Sequence, residues 1–120
     1  MPTILVVEDD ELLRYAIAKQ VEAAGYESIA VHSTMAALNV LDSPRKIDLL
    51  LADIVMPKGQ PNGLSLGRMA RMKRLDLKIM LMTGYDDLRI NDETLPAKIF
   101  RKPLDYEVLL TAIGNQLAAP

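Results

Sequence analysis

With 120 residues, half of them hydrophobic and a quarter charged, the chain suits one domain with a continuous core and is too apolar for a disordered segment. A net charge of −2 offers no general attraction to nucleic acid or anionic lipid, and the absence of cysteine excludes disulfides, zinc–thiolate sites and thiol chemistry. The opening "MPTILVVEDD" lacks the basic lead-in and long apolar run of a signal peptide. No stretch approaches the ~18 apolar residues of a membrane span, so a cytoplasmic protein without membrane or nucleic-acid partners is expected.

Strands are predicted at "TILVV" (3–7), "ESIAV" (27–31), "IDLLLA" (47–52), "KIMLMT" (78–83) and "AKIFR" (97–101). Three of these are nearly continuous apolar runs without alternation, as strands of a parallel sheet covered on both faces require. After the first, Leu13, Ala16, Ile17, Val21 and Ala24 keep a helical spacing that Gly25 stops. Thr34 to Leu41 reads as a second helix capped by Ser33. Gly63 to Leu75 reads as a third, with Leu66, Met69 and Ala70 inward and Gly67 implying close packing on the sheet. The segment "GYDDLRINDETLP" (84–96) has few apolar anchors and a closing proline, so any helix there is short or mobile. A last helix, capped by Asp105, buries Leu109, Ala112, Ile113 and Leu117. The alternation is (βα)₅, an α/β doubly wound parallel sheet with helices on both faces, in one domain over residues 1–120 with no output domain.

In such sheets ligands bind beyond the carboxyl ends of the strands. The residues closing the strands are Glu8-Asp9-Asp10 after the first, Asp53 after the third, Thr83 after the fourth and Lys102-Pro103 after the fifth. Asp53 ends a buried run, where an ionised carboxylate is costly unless paired. If the first and third strands are neighbours, Glu8, Asp9 and Asp53 converge, and Lys102 and the Thr83 hydroxyl approach from the other side. Three carboxylates in one pocket repel unless a cation resides there, and an all-oxygen set suits Mg²⁺ better than zinc. Asp10 reads most simply as the cap of the first helix. Taken singly, the others are ordinary caps, loop acids and surface lysines; their coincidence on the binding edge is what marks them.

The motifs "ILVVEDDELLR", "LLLADIVMP", "IMLMTG" and "RKPL", in that order, resemble the receiver domain of two-component response regulators over essentially the whole chain. The resemblance implies a flavodoxin-like fold with a five-stranded sheet in the order 2-1-3-4-5. It implies that Asp53 accepts a phosphoryl group, that Glu8, Asp9, Asp53 and the Val55 carbonyl hold Mg²⁺, and that Thr83 and Lys102 serve the phosphoryl group. It also implies a cis Lys102–Pro103 bond. The expected partners are a sensor histidine kinase or phosphotransfer protein and an unidentified downstream protein. A transient dimer on phosphorylation is possible, and no feature of the sequence supports it.

Three features depart from the family pattern. Ile99 stands where an aromatic ring is usual, three positions before the motif lysine, and Phe100 falls on the other strand face. "MPKGQPNG" is two residues longer than the common spacing, bringing in Lys58, Gln60 and Asn62 near the site. The fourth helix region is poor in anchors. The expected function is therefore a single-domain response regulator, acting enzymatically only in its own phosphorylation and dephosphorylation. The alternatives are a phosphorylation-independent adaptor, favoured modestly by Ile99, and a Mg²⁺-dependent phosphohydrolase. The hydrolase lacks its usual second acid, because position 55 is valine. A flavin reading is poorly served by four tyrosines and one phenylalanine. The basic run "RMARMKR" (68–74) reads as a solvated helix face rather than a docking patch, and His32 as structural.

Overall fold

In the computed structural model, which describes residues 1–84, 95 and 97–120, the apolar runs form β1 (Thr3–Val7), β2 (Glu27–Val31), β3 (Leu49–Asp53), β4 (Lys78–Thr83) and β5 (Lys98–Arg101). The periodic segments form α1 (Glu11–Ala23), α2 (Thr34–Asp42), α3 (Gly63–Lys73) and α4 (Tyr106–Ala118). Every strand pair is parallel, and the sheet order is β2-β1-β3-β4-β5. The fold class and strand order expected from the sequence are both observed.

Because successive strand side chains point to opposite faces, each central strand feeds two separate cores. Ile4, Val6, Leu49, Leu51, Met80 and Met82 meet Ile17 and Val21 of α1 and Leu109 and Ile113 of α4 on one face. On the other, Leu5, Val7, Leu50, Ala52, Ile79 and Leu81 meet Ala37 and Leu41 of α2 and Leu66 and Ala70 of α3. This double coverage is why β1 and β3 are buried along their whole length and show no polar alternation. The outer strands are partly exposed and carry charge at Glu27, Lys98 and Arg101, which discourages further strand pairing.

Side chains start the helices as the sequence suggests. Asp10 accepts from the amides of Leu12 and Leu13, Ser33 from Ala36, and Asp105 from Val108. Such caps are worth about 1 kcal/mol each. After α1 the chain turns through Gly25 at φ 96°, a backbone region that costs glycine little. Asn62, expected only to border the site, caps α3 through its Oδ1 on the Ser65 amide at 2.9 Å. A Cβ at Gly67 would meet Leu95 and Ile79 side chains, so the expected close packing on the sheet is present.

Several boundaries differ from expectation. β3 starts at Leu49 rather than Ile47 and includes Asp53; Asp48, just before it, is engaged by the Thr3 amide at 2.8 Å. Ala24 is exposed and ends α1 instead of extending its inner stripe. α3 stops at Lys73, leaving Leu75 exposed. Within the basic run, Met69 is half-buried as expected, whereas Arg74 is no solvated residue. Its guanidinium donates to the carbonyls of Leu41, Ser43 and Arg45 at 2.6–3.2 Å, gathering the carbonyls that the end of α2 leaves open. Arg74→Ala is expected to cost about 1.5–3 kcal/mol, measured as a lower urea midpoint with unchanged slope. The expected short helix over 84–96 falls mainly outside the described residues; of its apolar anchors, Leu95 is buried in the α2–α3 core. No helix among the described residues is long and apolar enough to cross a membrane.

Candidate functional site

Strand parity brings the charges together. Glu8 follows Ile4 and Val6, Asp53 follows Leu49 and Leu51, and Lys102 follows Phe100, so all three continue the rows that face α1 and α4. Parallel pairing of β1 with β3 sets Val7 beside Ala52, which carries the next residues, Glu8 and Asp53, out of the sheet side by side. Lys102 reaches in from beyond β5, its amide held by the Thr83 carbonyl at 2.8 Å. Its Nζ lies 2.6 Å from Glu8 Oε1 and 2.7 Å from Asp53 Oδ2.

Both acids are buried, Glu8 at 1% and Asp53 at 5% exposure, so each needs its partners. Glu8 Oε2 accepts the Asp10 amide at 3.0 Å and Asp53 Oδ1 accepts the Val55 amide at 3.2 Å. Burial pushes the Glu8 carboxyl above its ordinary value, aided by the nearby Asp53 charge; its bonds to Lys102 and the Asp10 amide oppose the rise without cancelling it. For Lys102, burial works against the charged form, but the bonds and charges of Asp53 and Glu8 outweigh it and hold the ammonium above its usual range. The lysine is therefore a fixed positive charge at neutral pH.

Asp9 is exposed at the mouth of the group. One carboxylate oxygen from each of Glu8, Asp9 and Asp53 lies within 4.8 Å of the others. Three acids against one lysine leave excess negative charge, and the donors are all oxygen. That donor set fits a hard divalent ion such as Mg²⁺. Val55 lies two residues past Asp53, half-exposed, where the chain leaves the sheet. Thr83 is buried at the end of β4, on the opposite parity from Asp53. Glu8, Asp9, Asp53 and Lys102 thus gather at one edge, and Thr83 ends β4 at that edge on the other face of the sheet. His32 sits at the end of β2, exposed, and contributes nothing here.

The Lys102–Pro103 bond is cis, as the resemblance implies. Ile99 packs into the α2–α3 core while Phe100 packs toward α1 and α4, so the ring indeed lies on the other face. Three residues supporting the site were not singled out by sequence. Arg14 reaches back from α1 to the carbonyls of Glu8 at 3.0 Å and Asp9 at 3.4 Å. Thr34 donates its amide to Gln60 Oε1 and its hydroxyl to the Pro61 carbonyl, which ties the long loop to the start of α2. Gly63 lies directly against the Asp53–Ile54 backbone. Only Arg14 had a legible signal, a cation one turn into the helix that follows the acidic pair.

The family model described as the response regulator receiver domain matches residues 4–114. The chain belongs to this family. As a receiver domain it is a module of two-component signalling. It is 35% identical to the response regulator receiver protein CpdR of Brucella abortus, over 99% of each chain. Other curated relatives are longer proteins, of which it spans 12% in one case and 39% in another. Among solved structures, a response regulator receiver protein from Sinorhizobium medicae superposes with a TM-score of 0.90 at 28% identity, covering 98% of this chain and 95% of that one. The response regulator TrrA of Thermotoga maritima, solved in complex with Mg²⁺ and BeF, does so with a TM-score of 0.84 at 27% identity, covering 97% and 99%.

Proposed function

We propose that this receiver domain is a single-domain response regulator that accepts a phosphoryl group on Asp53 from a histidine kinase or phosphotransfer protein. Full-length similarity to CpdR in both directions supports the single-domain reading. The observation that carries the phosphorylation reading is Asp53 itself: buried, ending the central strand, and bonded to Lys102 at 2.7 Å with Glu8 and Asp9 alongside.

An Asp53 carboxylate oxygen attacks the phosphorus of a phosphohistidine; the O–P bond forms as the N–P bond breaks and the imidazole leaves with the electron pair. Lys102 moves its charge from the resting carboxylates to the transferred phosphoryl oxygens, and the Thr83 hydroxyl donates to another of them. Glu8, Asp9, Asp53 and the Val55 carbonyl would hold Mg²⁺, which would supply neutralisation of the negative charge on the carboxylates and the phosphoryl oxygens. The Val55 amide keeps the Asp53 carboxylate in line. Phosphorylation adds charge and strong acceptors where Thr83 and Lys102 can reorganise, and this biases the surface offered to a downstream protein. The protein then acts in the cytoplasm as a switch rather than as an enzyme with a turned-over substrate.

The test is intact-protein mass after incubation with acetyl phosphate, with and without Mg²⁺. Wild type is expected to gain one phosphoryl increment only with Mg²⁺, and Asp53→Ala none. An increment that persists in Asp53→Ala would place the acceptor elsewhere and overturn the proposal.

A further inference from the structure

We infer that Arg14 is a positioning residue for the acidic pair, its guanidinium holding the peptide carbonyls of Glu8 and Asp9 so that both carboxylates face the cation position. This rests on the Mg²⁺ reading above and adds to it the part that keeps the site in shape. Only residues 8–10 join β1 to α1, and the turn is held from several sides. Glu8 donates its amide to the Val31 carbonyl at 3.1 Å, and the Asp10 side chain caps the helix. The Arg14 amide closes the first helical turn on the Asp10 carbonyl at 2.8 Å, while its side chain doubles back to the two residues before the cap. Asp9 is exposed, so core packing does not orient it, and control of its carboxylate must come through its backbone. A single guanidinium nitrogen, Arg14 Nη1, donating to two successive carbonyls supplies that control.

The sign of the effect separates positioning from simple charge. As a mere cation near three acids, Arg14 would repel a divalent ion, and removing it would tighten Mg²⁺ binding. As a positioner, its removal loosens the site, by about ten-fold for the loss of an outer partner of a metal ligand. Arg14→Met keeps the aliphatic stem and removes the donors, whereas Arg14→Lys keeps the charge but loses the planar group that carries Nη1 to the two carbonyls.

The experiment measures Mg²⁺ affinity by calorimetry and, without metal, amide hydrogen exchange at Asp10, whose N–H bonds Glu8 Oε2 directly. Arg14→Met is expected to bind Mg²⁺ about ten-fold more weakly and to exchange Asp10 faster, with Val21 in the core of α1 unchanged. Arg14→Lys should fall between it and wild type. Unchanged or tighter Mg²⁺ binding in Arg14→Met overturns the inference, as does unaltered Asp10 exchange. Should wild type itself bind no Mg²⁺, the metal reading fails, and the exchange arm alone decides whether Arg14 positions the pair.

Discussion

Lys102→Met is expected to lower stability at neutral pH by about 3–5 kcal/mol, the cost of leaving buried charges without their partner. The lysine holds Glu8 and Asp53 at 2.6 and 2.7 Å and is itself only 21% exposed, so water does little to replace it. Glu8 is already pushed up by burial, and losing the ammonium pushes it further. A folded state that binds protons more tightly than the unfolded chain gains stability as pH falls toward the unfolded value. The deficit of the variant should therefore shrink on acidification from neutral toward pH 4.5, the ordinary value for Glu8. For wild type the raised Lys102 value works at the other end. Its contribution is complete below 10.5, the ordinary lysine value, and is lost as pH rises through the folded value. Mg²⁺ at a hundred times its dissociation constant should restore about 2.7 kcal/mol. Urea unfolding at several pH values, with and without Mg²⁺, checks all of this. A variant as stable as wild type at neutral pH would show that the two ion pairs only break even with desolvation.

Gly63→Ala should be the most damaging single methyl group in the protein. A Cβ there would collide with the Asp53 carbonyl oxygen and lie 2.8 Å from Ile54 Cα and 2.9 Å from the Asp53 carbonyl carbon. These are backbone atoms of the strand end, and they cannot rotate aside. The Gly63 amide is also bonded to the Ile54 carbonyl at 2.9 Å, so relief requires breaking that bond or shifting the peptide that carries Asp53. Overpacking of this kind costs about 1–3 kcal/mol. If Asp53 is the acceptor, a displacement near 1 Å also slows transfer, on the order of a hundred-fold. The measurements are thermal melting and the rate of the mass increment from acetyl phosphate. Gly67→Ala is the control, because its nearest obstacle is the Leu95 Cδ2 methyl at 2.6 Å, the end of a rotatable side chain. Alanine's better helix propensity, about 1 kcal/mol, offsets that contact, so Gly67→Ala should be mild in both measurements. Equal loss in both variants would mean that crowding at the strand end has no special bearing on Asp53.

As a receiver domain, the chain shows its architecture early because its physics is local. Uninterrupted runs such as "LLLAD" can only be strands buried on both faces, and Asp10, Ser33 and Asp105 announce helix starts by side chains that reach no further than three residues. The gathering of Glu8, Asp53 and Lys102 was also legible, because strand ends in a parallel sheet share an edge and parity places these three on one side of it; Asp9 joins them from the turn that follows β1. Ile99 and Phe100 sort to opposite faces by the same rule. What only the tertiary structure decided are interactions whose partners lie far apart in the chain and belong to common residue types. Nothing local to Arg74 says that its guanidinium closes the end of α2, because those carbonyls lie about thirty residues earlier. Nothing local to Gln60 points to the Thr34 amide, 26 residues away. Gly63 looked like a helix-opening glycine, yet its φ is not in the left-handed region; the requirement is space against Asp53, and space is a property of the folded packing alone. Sequence therefore determined which strand-end residues meet, since strand period and the shared edge of a parallel sheet carry that information. Folding decided how tightly they are held, since that depends on distances that only the packed chain defines.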